Sequence, residues 1–130
     1  MRAYTVITTA LALGVDHKWL DNLLSHNTVP GIARSQRGVR RRIPPRSVSI
    51  IALAHRLHTA LSIPVHRAVE IATELMDSPD GEQQVAAFLS LRIERESFVA
   101  DVARRLDDAA EFAAVPPRGR RPRGRTSSGP

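Results

Sequence analysis

Six arginines, Arg34, Arg37, Arg40, Arg41, Arg42 and Arg46, fall within thirteen residues, and no acidic side chain lies among them. A guanidinium stays charged in a protein and presents a planar fork of donors, so its chemistry is anion capture rather than proton transfer. A charge run is usually a solvated face. Six cations this close, however, repel one another unless an anion sits between them. Phosphate is the anion that fits, and on duplex DNA each such contact adds about 0.9 to the salt dependence of binding. A second set precedes the run: His17, Lys18 and Asn22. Asn pairs with adenine through two hydrogen bonds, and Lys with guanine acceptors.

Reading bases requires a helix presented to the major groove by a second helix. The residues before Pro30 meet that demand. Thr5 is an N-cap for a short helix to about Leu13, Gly14-Val15 stops it, and Asp16 caps a second helix through about His26. Ala10 and Gly14 supply a small residue at the crossing and a glycine at the turn. Val15, Leu20 and Leu23 pin the second helix down, leaving His17, Lys18, Asp21, Asn22 and Ser25 outward. His17 and Lys18 stand at its N-terminal end, where base edges are usually met. Asp16 and Asp21 would repel phosphate, so the helix is expected to approach by its other side.

After Pro30-Gly31 the pattern changes. Residues 32–43 read as a tight hairpin around Ser35-Gln36-Arg37-Gly38, with Arg40 and Arg42 on one face and Arg41 on the other. Pro44-Pro45 opens a third helix carrying Val48, Ile51, Ala54 and Leu57, and Ile63-Pro64 opens a fourth carrying Ala68, Ile71, Ala72 and Leu75. Ser78 to Gly81 is a turn. No Pro or Gly interrupts 82–114, which reads as the longest helix. In it Val85, Phe88, Val99, Val102, Leu106, Ala109 and Ala113 follow alternating three and four spacings, interrupted by Arg92 and Arg95. Such a seam forms a dimer coil or folds back on its own domain; the dimer is the favoured expectation.

Charge is unevenly distributed along the 130 residues. Residues 1–46 hold eight basic and two acidic side chains, residues 47–115 six basic and eleven acidic, and the tail 116–130 five Arg and no acid. Two cationic zones flanking an acidic middle fit a polyanion-binding head and tail. The tail, with four of nine prolines, three of seven glycines and no large apolar residue, is expected to be disordered. The absence of cysteine removes disulfides, thiolate metal sites and thiol catalysis, and fits a reducing cytoplasm. Met1 to Val15 loosely mimics a signal peptide, but threonines break its apolar stretch, and no apolar run is long enough to span a bilayer. A cytoplasmic, nucleoid-associated location is the expectation. His55, His58 and His66 fall short of a metal ligand set and read as surface histidines. No catalytic triad, phosphate loop or isolated carboxylate pair is readable, so neither an enzyme nor a cofactor is expected.

The order Thr5 to Gly14, Val15 to His26, Pro30-Gly31, Gly38-Val39-Arg40-Arg41 and the helix Val48 to Leu57 resembles the MerR-like winged helix-turn-helix domain over roughly Tyr4 to Leu75. The resemblance implies that the second helix enters the major groove and that wing arginines hold the backbone. It also implies dimers formed through a long C-terminal helix. Those roles fall on His17, Lys18 and Asn22, on Arg40 and Arg41, and on the helix after Glu82. The aromatic residues usual after the second helix and at the wing's end are missing, with Ile43 in the latter place, and there is no effector domain. The tail segment Pro117 to Arg125 looks similar to an AT-hook, although neither copy is exact; a nonspecific electrostatic tether is preferred.

The expected fold is therefore mainly α. A winged helix-turn-helix occupies 1–78, a long C-terminal helix 79–115 and a disordered basic tail 116–130. The expected function is a dimeric transcription regulator that binds double-stranded DNA. His17, Lys18 and Asn22 would contact bases, and Arg34, Arg37, Arg40, Arg41, Arg42 and Arg46 the backbone. Val85, Phe88, Val99, Val102 and Leu106 would form the dimer. The alternative is an antitoxin or adaptor that grips a protein partner through 82–114, and RNA binding ranks third for want of exposed aromatics.

Overall fold

The computed structural model describes residues 3–33 and 41–114, with side chains as far as Phe112. Among these residues the architecture is mainly helical, with one small antiparallel hairpin. The helix α1 (Val6–Leu13) begins where Thr5 Oγ1 accepts the Thr8 amide at 3.1 Å. It ends at Gly14, whose φ of 67° only glycine adopts without strain and whose amide returns to the Ala10 and Leu11 carbonyls. Asp16 then caps α2 (His17–His26) by accepting the Lys18 amide at 3.2 Å. Both caps satisfy amides that a helix start leaves without partners.

Pro44 precedes α3 (Pro45–Leu61), and Pro64 precedes α4 (Val65–Asp77). Proline at a first turn gives up only an amide that has no helical partner there. The core gathers Leu20, Ile43, Val48, Ile50, Ile51, Leu75 and Leu106, all nearly or fully excluded from solvent. Tyr4 and Ile43 form an isolated antiparallel bridge with reciprocal 2.8 Å hydrogen bonds, tying the chain before α1 to the chain before α3. Gly31, at φ 91°, lets the Ser47 hydroxyl reach the Pro30 carbonyl at 2.6 Å; a Cβ there would lie 2.5 Å from that hydroxyl.

The expected helix over 82–114 requires correction. Its first part is a hairpin, β1 (Glu82–Ala86) and β2 (Leu89–Arg92), and only α5 (Arg95–Ala114) is helical. Alternation explains the strands: Gln83 and Val85 on β1, and Leu91 and then Ile93, are half-buried, while their neighbours are exposed. The turn carries no glycine. Phe88 takes the left-handed conformation at φ 67° with its ring wholly exposed, and one register shift lies between Gln84 and Ala86. The turn Ser78 to Gly81 forms as expected and sets up the strands. Ser78 Oγ and the Glu82 amide both bond Asp80 Oδ1, at 2.7 and 3.1 Å, and the Gly81 carbonyl accepts the Ile93 amide at 2.9 Å. Those bonds to the charged form, the Ser78 hydroxyl first, hold the Asp80 carboxyl below its ordinary range.

The seam is corrected with the helix. Val85 lies half-buried in β1 and Phe88 at the hairpin tip. Val102, Leu106 and Ala109 are buried against their own molecule, where α5 packs on α1 and α3, and Val99 is 38 % exposed. The Ala113 side chain lies outside what is described. Arg92 is in β2, paired with Glu94 at 3.4 Å. Arg95 reaches back to the end of α4, donating to the Ser78 carbonyl and to that of Pro79 at 3.0 Å. A cation over terminal carbonyls complements a helix C-terminus. Along α5, Asp101 pairs with Arg105 at 3.1 Å and also with Arg104. No helix among the described residues is long and apolar enough to cross a membrane.

Candidate nucleic-acid interface

The unit α1–Gly14–α2 divides α2 into two faces. Leu20, Leu23 and Leu24 are buried, with Val15 and Trp19 partly buried beside them. Ala10 on α1 is buried as a small residue at the junction requires. Trp19 meets His55 of α3 edge to face, with ring centroids 5.0 Å apart. That burial pushes the His55 pKa down, and repulsion from His58 and then Arg56 adds to it. The opposite face is polar: His17, Lys18, Asn22, Ser25 and His26 are exposed. Lys18, Asn22 and Ser25 recur at spacings of four and three, so they form one stripe. Lys18 and Asn22 thus share one solvent-facing stripe, while His17, also exposed, lies about 100° round the helix from Lys18.

Asp21 lies within that stripe, and its charge is answered. Arg41 Nη1 donates to Asp21 Oδ1 at 2.8 Å and Arg41 Nη2 to Ser25 Oγ at 3.2 Å. The Arg41 side chain is only 13 % exposed, against 48 % for Asp21. From sequence alone Asp21 reads as repelling phosphate and Ser25 as simply outward. Neither had a visible partner, because a contact spanning twenty residues has no local signal.

The other arginines differ in placement. Arg42 is exposed, next to the buried Ile43. Arg46, on the first turn of α3, is paired with Asp77 at the end of α4 rather than with α2. Arg34, Arg37 and Arg40 lie outside the described residues, as do the expected turn at Gly38 and the basic tail. The hairpin expected over 32–43 is thus described only at its ends. At those ends Ile32 is half-buried and Ile43 is bridged to Tyr4.

The remaining histidines are placed singly. His58 Nδ1 lies 2.8 Å from the Ile63 carbonyl, and His66 lies 3.4 Å from Glu70. No group of three or more side chains able to hold a metal occurs among the described residues. Two open depressions flank α5. One, of about 360 Å³, is lined by Leu11 and Ala12 of α1 and by Arg105, Asp108 and Phe112 of α5. The other, of about 570 Å³, lies between Arg46, Met76 and the Val99–Ala103 face of α5. No protein-family model matches the chain, and neither a curated protein nor a solved structure matches it.

Proposed function

We propose that the protein is a sequence-specific DNA-binding regulator of the winged helix-turn-helix kind, with α2 in the major groove. In this reading His17, Lys18 and Asn22 meet base edges, and the arginine-rich segment 34–42 lies along the phosphate backbone. One observation carries it: the exposed polar stripe of α2 shares its surface with Arg41, the described anchor of the arginine run. Five arginines in 34–42, with Arg41 held beside a helix that exposes Lys and Asn, give the two kinds of contact that DNA recognition separates, backbone positioning and base readout. Two copies on an inverted repeat would double both. In a homodimer of this kind Val102 and Leu106 stay in their own cores, so the copies meet through other surface.

The test is retention of genomic fragments by the purified full chain, followed by sequencing. The reading expects a restricted set sharing an inverted repeat. Fragments retained in proportion to their length alone would contradict it.

A second reading, a protein partner on α5, has one observation in its favour. Phe112 is 69 % exposed and Leu11 47 %, and both line the smaller depression. Exposed apolar side chains gathered at one place mark an interaction site more often than scattered ones do. Co-purification of a stoichiometric partner that Phe112→Asp releases would favour this reading, and unchanged fragment retention by that variant would keep DNA binding separate from it.

A further inference from the structure

We infer that Arg41 is a positioning residue: pinned by Asp21 and Ser25, it ties the end of the arginine run to the exposed face of α2 and cancels the charge of Asp21 there. The inference rests on the DNA-binding reading and deepens it, since it moves Arg41 from the phosphate-contacting set into the machinery of discrimination. The geometry carries it. Two guanidinium nitrogens are engaged, at 2.8 and 3.2 Å, on acceptors one helical turn apart, and the side chain is 13 % exposed. An arginine waiting for phosphate would stand in solvent, as Arg42 next to it does.

The alternative, that Arg41 swings out to a phosphate when DNA arrives, meets two opposing effects. It abandons two hydrogen bonds already formed, and it leaves Asp21 bare among Lys18, Asn22 and Ser25. An unpaired carboxylate on that stripe repels the same phosphates that Arg41 would be seeking. Holding the pair removes the repulsion, and it fixes where the chain at Arg41 lies relative to the base-reading side chains. Register set in this way governs which bases are met, not how strongly any phosphate is held.

Two substitutions separate the accounts, each measured on a retained genomic duplex and on a scrambled duplex of equal length, over a series of salt concentrations. Asp21→Asn keeps the shape and deletes the charge. A phosphate-seeking Arg41 would then be released and the repulsion lost, so both duplexes would bind more tightly. The positioning role expects the reverse on the retained duplex: the ratio of retained to scrambled affinity falls by about tenfold or more, the size of a lost base contact. Arg41→Gln is expected to lower the same ratio with the salt slope unchanged. A drop in slope of about 0.9 with equal weakening of both duplexes is the mark of a lost phosphate contact and would overturn the inference. So would tighter binding by Asp21→Asn. Circular dichroism and melting of each variant establish that it is folded, and a DNA-free double-mutant cycle on melting temperature reads the pair directly; additive effects would overturn the lock. If the unaltered chain binds neither duplex at low salt, the DNA-binding reading itself fails. If it binds both and Asp21→Asn binds more tightly, only the role of Arg41 fails.

Discussion

Asn22 on α2 and His55 on α3 each make a separate prediction. Asn22 is exposed and central in the polar stripe of α2. Asn22→Ala is expected to cost about 1–3 kcal/mol on a retained duplex and nothing measurable on a scrambled one. Equal losses on both would remove Asn22 from base readout. His55 is half-buried against Trp19, and its pKa lies below the ordinary 6.5. The fold therefore favours neutral imidazole, whereas the unfolded chain takes up a proton near 6.5. Stability from this site is complete above 6.5 and declines as pH falls through 6.5 toward the lowered folded value, since there the unfolded state binds more protons. Thermal melts between pH 7.5 and 5 should show a steeper acid-side decline for the unaltered chain than for His55→Gln. Parallel curves would contradict the assignment. At this scale the sequence displayed the exposed candidates of α2, because a capped helix with Leu20 and Leu23 inward leaves no choice about the outward set. It hid the Asp21–Arg41 pair, which requires knowing where the chain before α3 returns.

Elements were legible where punctuation residues mark them. Thr5, Gly14, Asp16, Pro45 and Pro64 each sit at or within two residues of a boundary of α1 to α4, and each acts through a local mechanism, a cap or a fixed φ. The hairpin at 82–92 was not legible for the converse reason. Its turn uses Ala87 and Phe88, neither a turn former, and Val85 to Phe88 happens to match a heptad step. Phe88 accepts a left-handed conformation that non-glycine residues adopt at a cost of about 1–3 kcal/mol, while its exposed ring returns no packing. Phe88→Asn, which tolerates that conformation, is thus expected to raise stability by about 0.5–1 kcal/mol in urea unfolding. A loss would show that the ring is covered in solution. Leu106, by contrast, is 1 % exposed inside its own molecule. Leu106→Ala should cost about 2–5 kcal/mol, and the same amount at low and high protein concentration. A loss that shrinks as concentration rises would return Leu106 to an interface between copies.

Over the whole molecule, charge and fold divide the work. The basic head and tail flank an acidic middle whose residues build most of α3, α4, the hairpin and α5. The middle supplies Leu106 on α5, which packs on α1, while Arg41, at the end of the cationic run, bonds to α2. If the head engages duplex DNA as proposed, affinity must come largely from counterion release and selectivity from the α2 stripe. The measurement that tests this most directly is the affinity of the full chain for a retained and a scrambled duplex across salt from about 50 to 200 mM. The account expects log affinity to fall linearly with log salt for both, and the retained duplex to bind at least about 10³-fold more tightly throughout. No binding at the lowest salt, or equal affinity for the two duplexes, would contradict it.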